Sequence, residues 1–137
     1  MADLKAAVGQ AARFGLAGVV STAVGFAVIA VLDAGLRVAP ALANAAGYLV
    51  GVPVGFMLNR GYVFRHGGAP GAAGLRYLAA VAIAFGLNQV VLRLAGQVLG
   101  PALGPGAPAH LAAQLAGMAT YTLTTFLLAR YWVFRTA

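Results

Sequence analysis

The sequence contains no cysteine and no glutamate, and Ser21 is its only serine. Without cysteine there is neither a disulfide framework nor a cysteine-ligated zinc site. Charge is nearly as scarce: 8% of the 137 residues are charged, made up of nine Lys or Arg and two Asp. A soluble domain carries about 25%. Segments 14–32, 38–59, 77–92 and 94–129 hold no charged side chain at all. Hydrophobic residues make up 62% of the chain, so too little polar surface exists to coat a water-soluble globule. A bilayer core needs about 20 apolar residues per crossing helix, and four such crossings use most of the chain. The apolar runs are continuous and do not alternate, which argues against an outer-membrane barrel.

What is present reads as an all-α integral membrane protein, a single domain over residues 1–137 with four transmembrane helices. The expected spans are roughly Arg13–Leu32, Ala39–Asn59, Arg76–Leu99 and Ala109–Arg130. The first follows Lys5 and Arg13 as a signal peptide would, but it exceeds an h-region of about 7–15 residues, so it is expected to be retained. Gly67, Gly68, Pro70 and Gly71 mark a connector between the second and third spans, and the Gly- and Pro-rich stretch 100–108 separates the third from the fourth. Lys5, Arg13, Arg60, Arg65, Arg76, Arg130 and Arg135 fall on one side of this arrangement, Arg37 and Arg93 on or near the other. That asymmetry places both termini in the cytoplasm. The same arginines sit at the ends of apolar runs, as membrane anchors do, so the net charge of +7 is not read as nucleic-acid binding.

The chain repeats itself. Leu58-Asn59-Arg60-Gly61-Tyr62-Val63-Phe64-Arg65 returns seventy residues later as Leu128-Ala129-Arg130-Tyr131-Trp132-Val133-Phe134-Arg135. Between 41–65 and 111–135 nine of twenty-five positions are identical. Arg13-Phe14 opens the first span and Arg76-Tyr77 the third. Two parallel-repeat hairpins are therefore expected, at about 13–65 and about 76–135. Tyr62, Phe64, Tyr131, Trp132 and Phe134 are expected to form an interfacial aromatic belt.

An arginine-aromatic pair opening a span, with a later span ending in Asn-Arg-x-aromatic-Val-Phe, resembles the GtrA-like family of small four-helix membrane proteins. The likeness runs from Arg13 to Arg135. It implies a part in moving polyprenyl-phosphate-linked sugars across the cytoplasmic membrane for cell-envelope polysaccharide glycosylation, beside a membrane glycosyltransferase. Some members of the family are thought instead to anchor or recruit such an enzyme without transporting. Two departures are visible: Ala129 stands where the second copy usually keeps an asparagine, and Ser21-Thr22 where one is frequent in the first span.

Polar groups inside a bilayer need partners, so the few present are the candidates. Asn59 and Arg60, with Arg130 in the second copy, are read as a headgroup site, the guanidinium forks meeting a phosphate. Anchoring and a helix-end amide bonded to its own backbone are the plainer alternative. Asn44, Gln114, Asn88 and Gln89 lie within spans, and Gln114, Tyr121 and Thr125 share one helical face. They form either a polar track for a sugar or ordinary interhelical hydrogen bonds. Arg93, about 9 Å outward of the centre of the third span, either holds a phosphate in transit, or pairs with Asp33 as a structural clasp or snorkels outward. Stripes of small residues at Gly47, Gly51, Gly55 and at Ala17, Ser21, Gly25 suit close helix packing, and Pro53 is expected to kink the second span.

No catalytic constellation is present: there is no nucleophile beside a base, no paired carboxylates and no phosphate-binding Gly-Lys loop. The chain is read as a non-enzyme needing no cofactor and no metal. The missing intramembrane glutamate also argues against a small proton-driven multidrug exporter. Four helices enclose little space, which leaves room for a homodimer whose interface forms the path. The expected partners are thus the lipid-linked sugar, membrane lipid, a glycosyltransferase and a second copy.

Overall fold

A computed structural model describes residues 2–104 and 107–135. Among them there is no strand. Helix α1 spans Ala2–Ala30, α2 Pro40–Leu58, α3 Pro70–Leu103 and α4 Ala107–Leu128. All four are long and apolar enough to cross a membrane, as the unbroken apolar runs require. The protein is a multi-pass membrane protein.

Helices α1, α3 and α4 begin earlier than the charge pattern suggests, and α3 also ends later. Proline sets two of the starts: Pro40 and Pro70 sit in the first turn, where no intrahelical amide is needed. The preceding residues Ala39 and Ala69 are extended, with ψ of 132° and 127°, as a following proline demands. Arg76 therefore lies inside α3, and the second connector is short. α3 also runs through Pro101 to Leu103, where the sequence suggested a loop from residue 100. One missing amide does not outweigh the remaining helical bonds. Gly104, at φ +78°, stops the helix in a conformation that suits a residue without a β-carbon. α2 continues unbroken past Pro53.

Three helices end in a π turn rather than a tightened one. Val31–Gly35 follows α1, Asn59–Val63 follows α2 and Ala129–Val133 follows α4. Each is closed by an amide five residues on: Leu36 to the Val31 carbonyl, Phe64 to Asn59 and Phe134 to Ala129, all at 2.9 Å. After the first two turns, Arg37 and Arg65 adopt left-handed φ of 55° and 48°. The amides of Val38 and His66 then reach back to the carbonyls of Leu32 and Arg60 at 2.8 Å. These wide closures satisfy carbonyls that a helix end leaves open.

The described chain falls into two compact units, divided between Gly67 and Gly68. In the first, α1 packs on α2; in the second, α3 packs on α4. Both seams are built of small residues. Ala17, Ala43, Ala80, Ala84, Ala113 and Ala129 are buried, whereas Leu16, Phe26, Leu49, Met57, Leu115 and Leu123 are exposed. This inverts the soluble pattern. Lipid is as apolar as leucine, so helices associate through close backbone approach and leave bulky side chains outside.

Equivalent glycines mark the closest approaches. A β-carbon on Gly47 would overlap Ile29 Cγ1 and lie 2.8 Å from the Gly25 carbonyl oxygen; one on Gly117 would overlap Asn88 Oδ1 and lie 3.0 Å from Leu92 Cγ. The open end of each hairpin is closed by a ring pair. Phe14 meets Phe64 edge-on at 6.4 Å in the first unit, and Tyr77 meets Phe134 at 6.2 Å in the second. Gly25 and Asn88, Ile29 and Leu92, Phe14 and Tyr77 are each 63 positions apart. Gly47 and Gly117, Phe64 and Phe134 are each 70 apart.

Candidate functional site

Asn59 opens the π turn after α2. It is 3% exposed, its Nδ2 donates to the Gly55 carbonyl at 2.8 Å, and its own carbonyl accepts from Phe64. One amide donor is thus spent on its own helix. Arg60, next in the turn, is half-buried, and its carbonyl accepts from the His66 amide. Arg65 is exposed.

The second unit repeats this end with one exchange. Ala129 takes the asparagine's position, fully buried, and Arg130 is again half-buried within the π turn. Its guanidinium carbon lies 5.5 Å from the centroid of the Tyr131 ring, a cation–π distance. One turn earlier, Thr125 is 3% exposed and donates to the Tyr121 carbonyl at 2.7 Å. A buried polar group bonded to the carbonyl four residues back is therefore found near the end of both α2 and α4. Tyr62, Tyr131 and Trp132 are exposed, but Phe134 is buried and Phe64 half-buried. The last two serve the hairpin seam instead of an outward-facing belt.

The within-span candidates separate. Asn44 and Gln114 are exposed, Tyr121 is half-buried and Thr125 buried. The track expected along Gln114, Tyr121 and Thr125 therefore runs from the outer surface into the seam. The reason is geometric: the α4 seam follows Ala109, Ala113, Gly117, Tyr121, Thr125, Ala129 and Val133. Every fourth residue drifts by about 40° around a helix of 3.6 residues per turn. Asn88 is half-buried with its Oδ1 against Gly117, so it belongs to the α3–α4 contact. Gln89 and Arg93 are exposed on α3. Arg93 and the exposed Asp33 lie in different units.

Sequence reasoning did not anticipate the π turns, which have no composition signal of their own. Nor did it single out Gln97, exposed on α3. Its spacing of four from Arg93, itself four from Gln89, was the available sign.

The arrangement is two helix ends of the same build, each with a half-buried arginine in a widened turn beside an aromatic closure. A family model described as GtrA/DPMS, transmembrane domain, matches residues 13–134. The chain belongs to that family. The match takes in all four spans, both ring pairs and both π turns that carry Arg60 and Arg130. No curated protein and no solved structure matches the chain. Membership in the GtrA/DPMS family associates the protein with polyprenyl-phosphate sugar processes at a membrane.

Proposed function

We propose that the chain moves a polyprenyl-phosphate-linked sugar across the cytoplasmic membrane, as a non-catalytic translocase for cell-envelope polysaccharide glycosylation. The observation that carries this reading is the half-buried arginine repeated at two π turns, Arg60 and Arg130. An arginine there is partly withdrawn from water, and its guanidinium can make charge-assisted, forked hydrogen bonds to a phosphate. Asn59, tied to Gly55, holds the turn that presents Arg60. The excess of arginine at these ends supports cytoplasmic termini, and hence loading from the cytoplasmic leaflet. Asn44, Gln114, Gln89, Arg93 and Tyr121 supply the remaining polar groups for the crossing, Asn88 being held in the α3–α4 contact, while the prenyl tail stays in lipid. No energy-coupling motif is present in the sequence, so the movement runs downhill, drawn by consumption of the sugar outside. The two equivalent contact sets support descent from one duplicated hairpin, and a homodimer would supply the enclosure that four helices lack.

Vesicles containing labelled polyprenyl-phosphate sugar test this. The purified protein should speed exposure of the sugar on the far leaflet. Replacing Arg60 and Arg130 together by glutamine should slow it about tenfold or more, the loss of a charge-assisted hydrogen bond. If the wild type gives no acceleration, even with its glycosyltransferase present, translocation is wrong. Capture of that enzyme without flipping would replace it by the anchoring role.

A further inference from the structure

One polar feature has no counterpart in the first unit. Gln89, Arg93 and Gln97 stand four residues apart on α3, and all three are exposed. Successive fourth residues stay within about 40° of one another, so the three form one row along the outside of the helix. Gly86, Gly96 and Gly100 flank the row on the same side. A β-carbon on any of them would meet nothing within 4 Å. The space over these glycines, beside the row, is open. Pro101 adds to the row: proline has no amide to donate to the Gln97 carbonyl four residues back, which leaves an acceptor at the same level.

Depth matters as much as composition. At 1.5 Å per residue, Gln89 is about 4 Å from the midpoint of Pro70–Leu103, Arg93 about 10 Å and Gln97 about 16 Å. The row climbs from near the middle of the span to its turn end, where the hydrocarbon gives way to the interface.

The fold does not require this polarity. At the 63-residue offset set by the equivalent contacts, the corresponding positions are Phe26 and Ala30 of α1 and Ala34 of the π turn that follows it, all exposed and all apolar. The equivalent places in the first unit are occupied by residues that lipid tolerates. An arginine costs about 2.5–3.5 kcal/mol at the centre of a span and less where it can snorkel outward, and an anionic group beside Arg93 on the lipid side would offset what remains. The chain offers few: its acids are Asp3 and Asp33 against nine cations. A second copy packed in parallel would bring Arg93 against an equally cationic face.

We propose that the row Gln89, Arg93 and Gln97 docks the phosphate headgroup of an anionic lipid reached directly from the bilayer. Arg93 holds the phosphate, and the two carboxamides with the Gln97 carbonyl take the hydroxyls of the attached sugar. This deepens the translocase reading and rests on it for the sugar. The headgroup then travels along the outer face of α3 in the half of the membrane towards the α3–α4 turn.

The test uses the full chain in phosphatidylcholine vesicles doped with a polyprenyl phosphate carrying a photoreactive diazirine at its headgroup. Peptide mapping should place label within residues 86–100. Arg93→Gln should lower that labelling about tenfold, as loss of a charge-assisted contact does, and Arg93→Lys should keep most of it. Circular dichroism of both variants checks that α3 is intact. Label absent from α3 while flipping proceeds overturns the proposal and leaves translocation standing. Label on α3 without flipping upholds the site and removes translocation. Displacement by soluble inorganic phosphate as effective as excess lipid overturns the lipid assignment. Quantitative disulfide dimers of Gln97→Cys, with labelling lost, overturn it in favour of a second copy.

Discussion

Gly47 and Gly15 look alike in the sequence, each a glycine in an apolar helix, yet they carry different constraints. At Gly47 a β-carbon runs into Ile29 and the Gly25 carbonyl oxygen, and backbone cannot step aside as a side chain can. At Gly15 the same atom meets nothing within 4 Å. Gly47→Ala is expected to destabilise the first unit by about 1–3 kcal/mol, the usual cost of overpacking. Gly15→Ala should be neutral or stabilising by up to about 1 kcal/mol through helix propensity. Unfolding of the purified protein in mixed micelles distinguishes the two, and equal behaviour would refute the close approach. The stripe of small residues was legible from spacing alone. Which of its members touches backbone was not, because that depends on the rotation of the neighbouring helix.

At the scale of the element, the π turn places the ring that closes each hairpin. A π turn carries one more residue than the α turn it replaces. The widened turn already absorbs one extra residue, so inserting a further glycine after Gly61 is expected to swing Phe64 by about 100° around the helix, away from Phe14. The loss should be about 0.5–1.5 kcal/mol beyond the area change, the value of an aromatic pair. In the chain with the inserted glycine, Phe14→Leu should then cost much less than it does in the wild type. Additive effects would show that the turn does not position the ring. Helix type and approximate length could be read in advance, since continuous apolar runs admit little else in a bilayer. The widened ends could not, because they depend on which carbonyl the returning chain reaches.

For the whole molecule, the absence of cysteine becomes an experimental asset. Single cysteines at Ala39 and Ala69, both exposed, are expected to report opposite sides. An impermeant maleimide applied outside intact cells should modify Ala39→Cys and leave Ala69→Cys untouched until the membrane is opened. The reverse pattern would invert the topology that the arginine count implies and move the loading step to the other leaflet. The headgroup candidates were legible as a set because a polar residue in an apolar span stands out. Their separation into seam, helix end and outer face was not. Asn88 and Gln89 are neighbours in sequence, yet one meets Gly117 and the other is exposed.

By itself the sequence determined membrane residence, four crossings and the doubled arginine-aromatic signature. These follow from composition and spacing, because removing apolar surface from water and satisfying the backbone within lipid leave few solutions. Only the tertiary structure decided which polar groups are spent on packing and which are offered outward. A helix in lipid is apolar on every side, so periodicity does not mark its contact face. That face is chosen by where two backbones can approach, at Gly25, Gly47 and Gly51, and where the side chains of Asn88 and Leu92 can lie against Gly117. With those contacts set, Asn59 and Thr125 bond to their own helices, and Gln89, Arg93 and Gln97 are left facing outward.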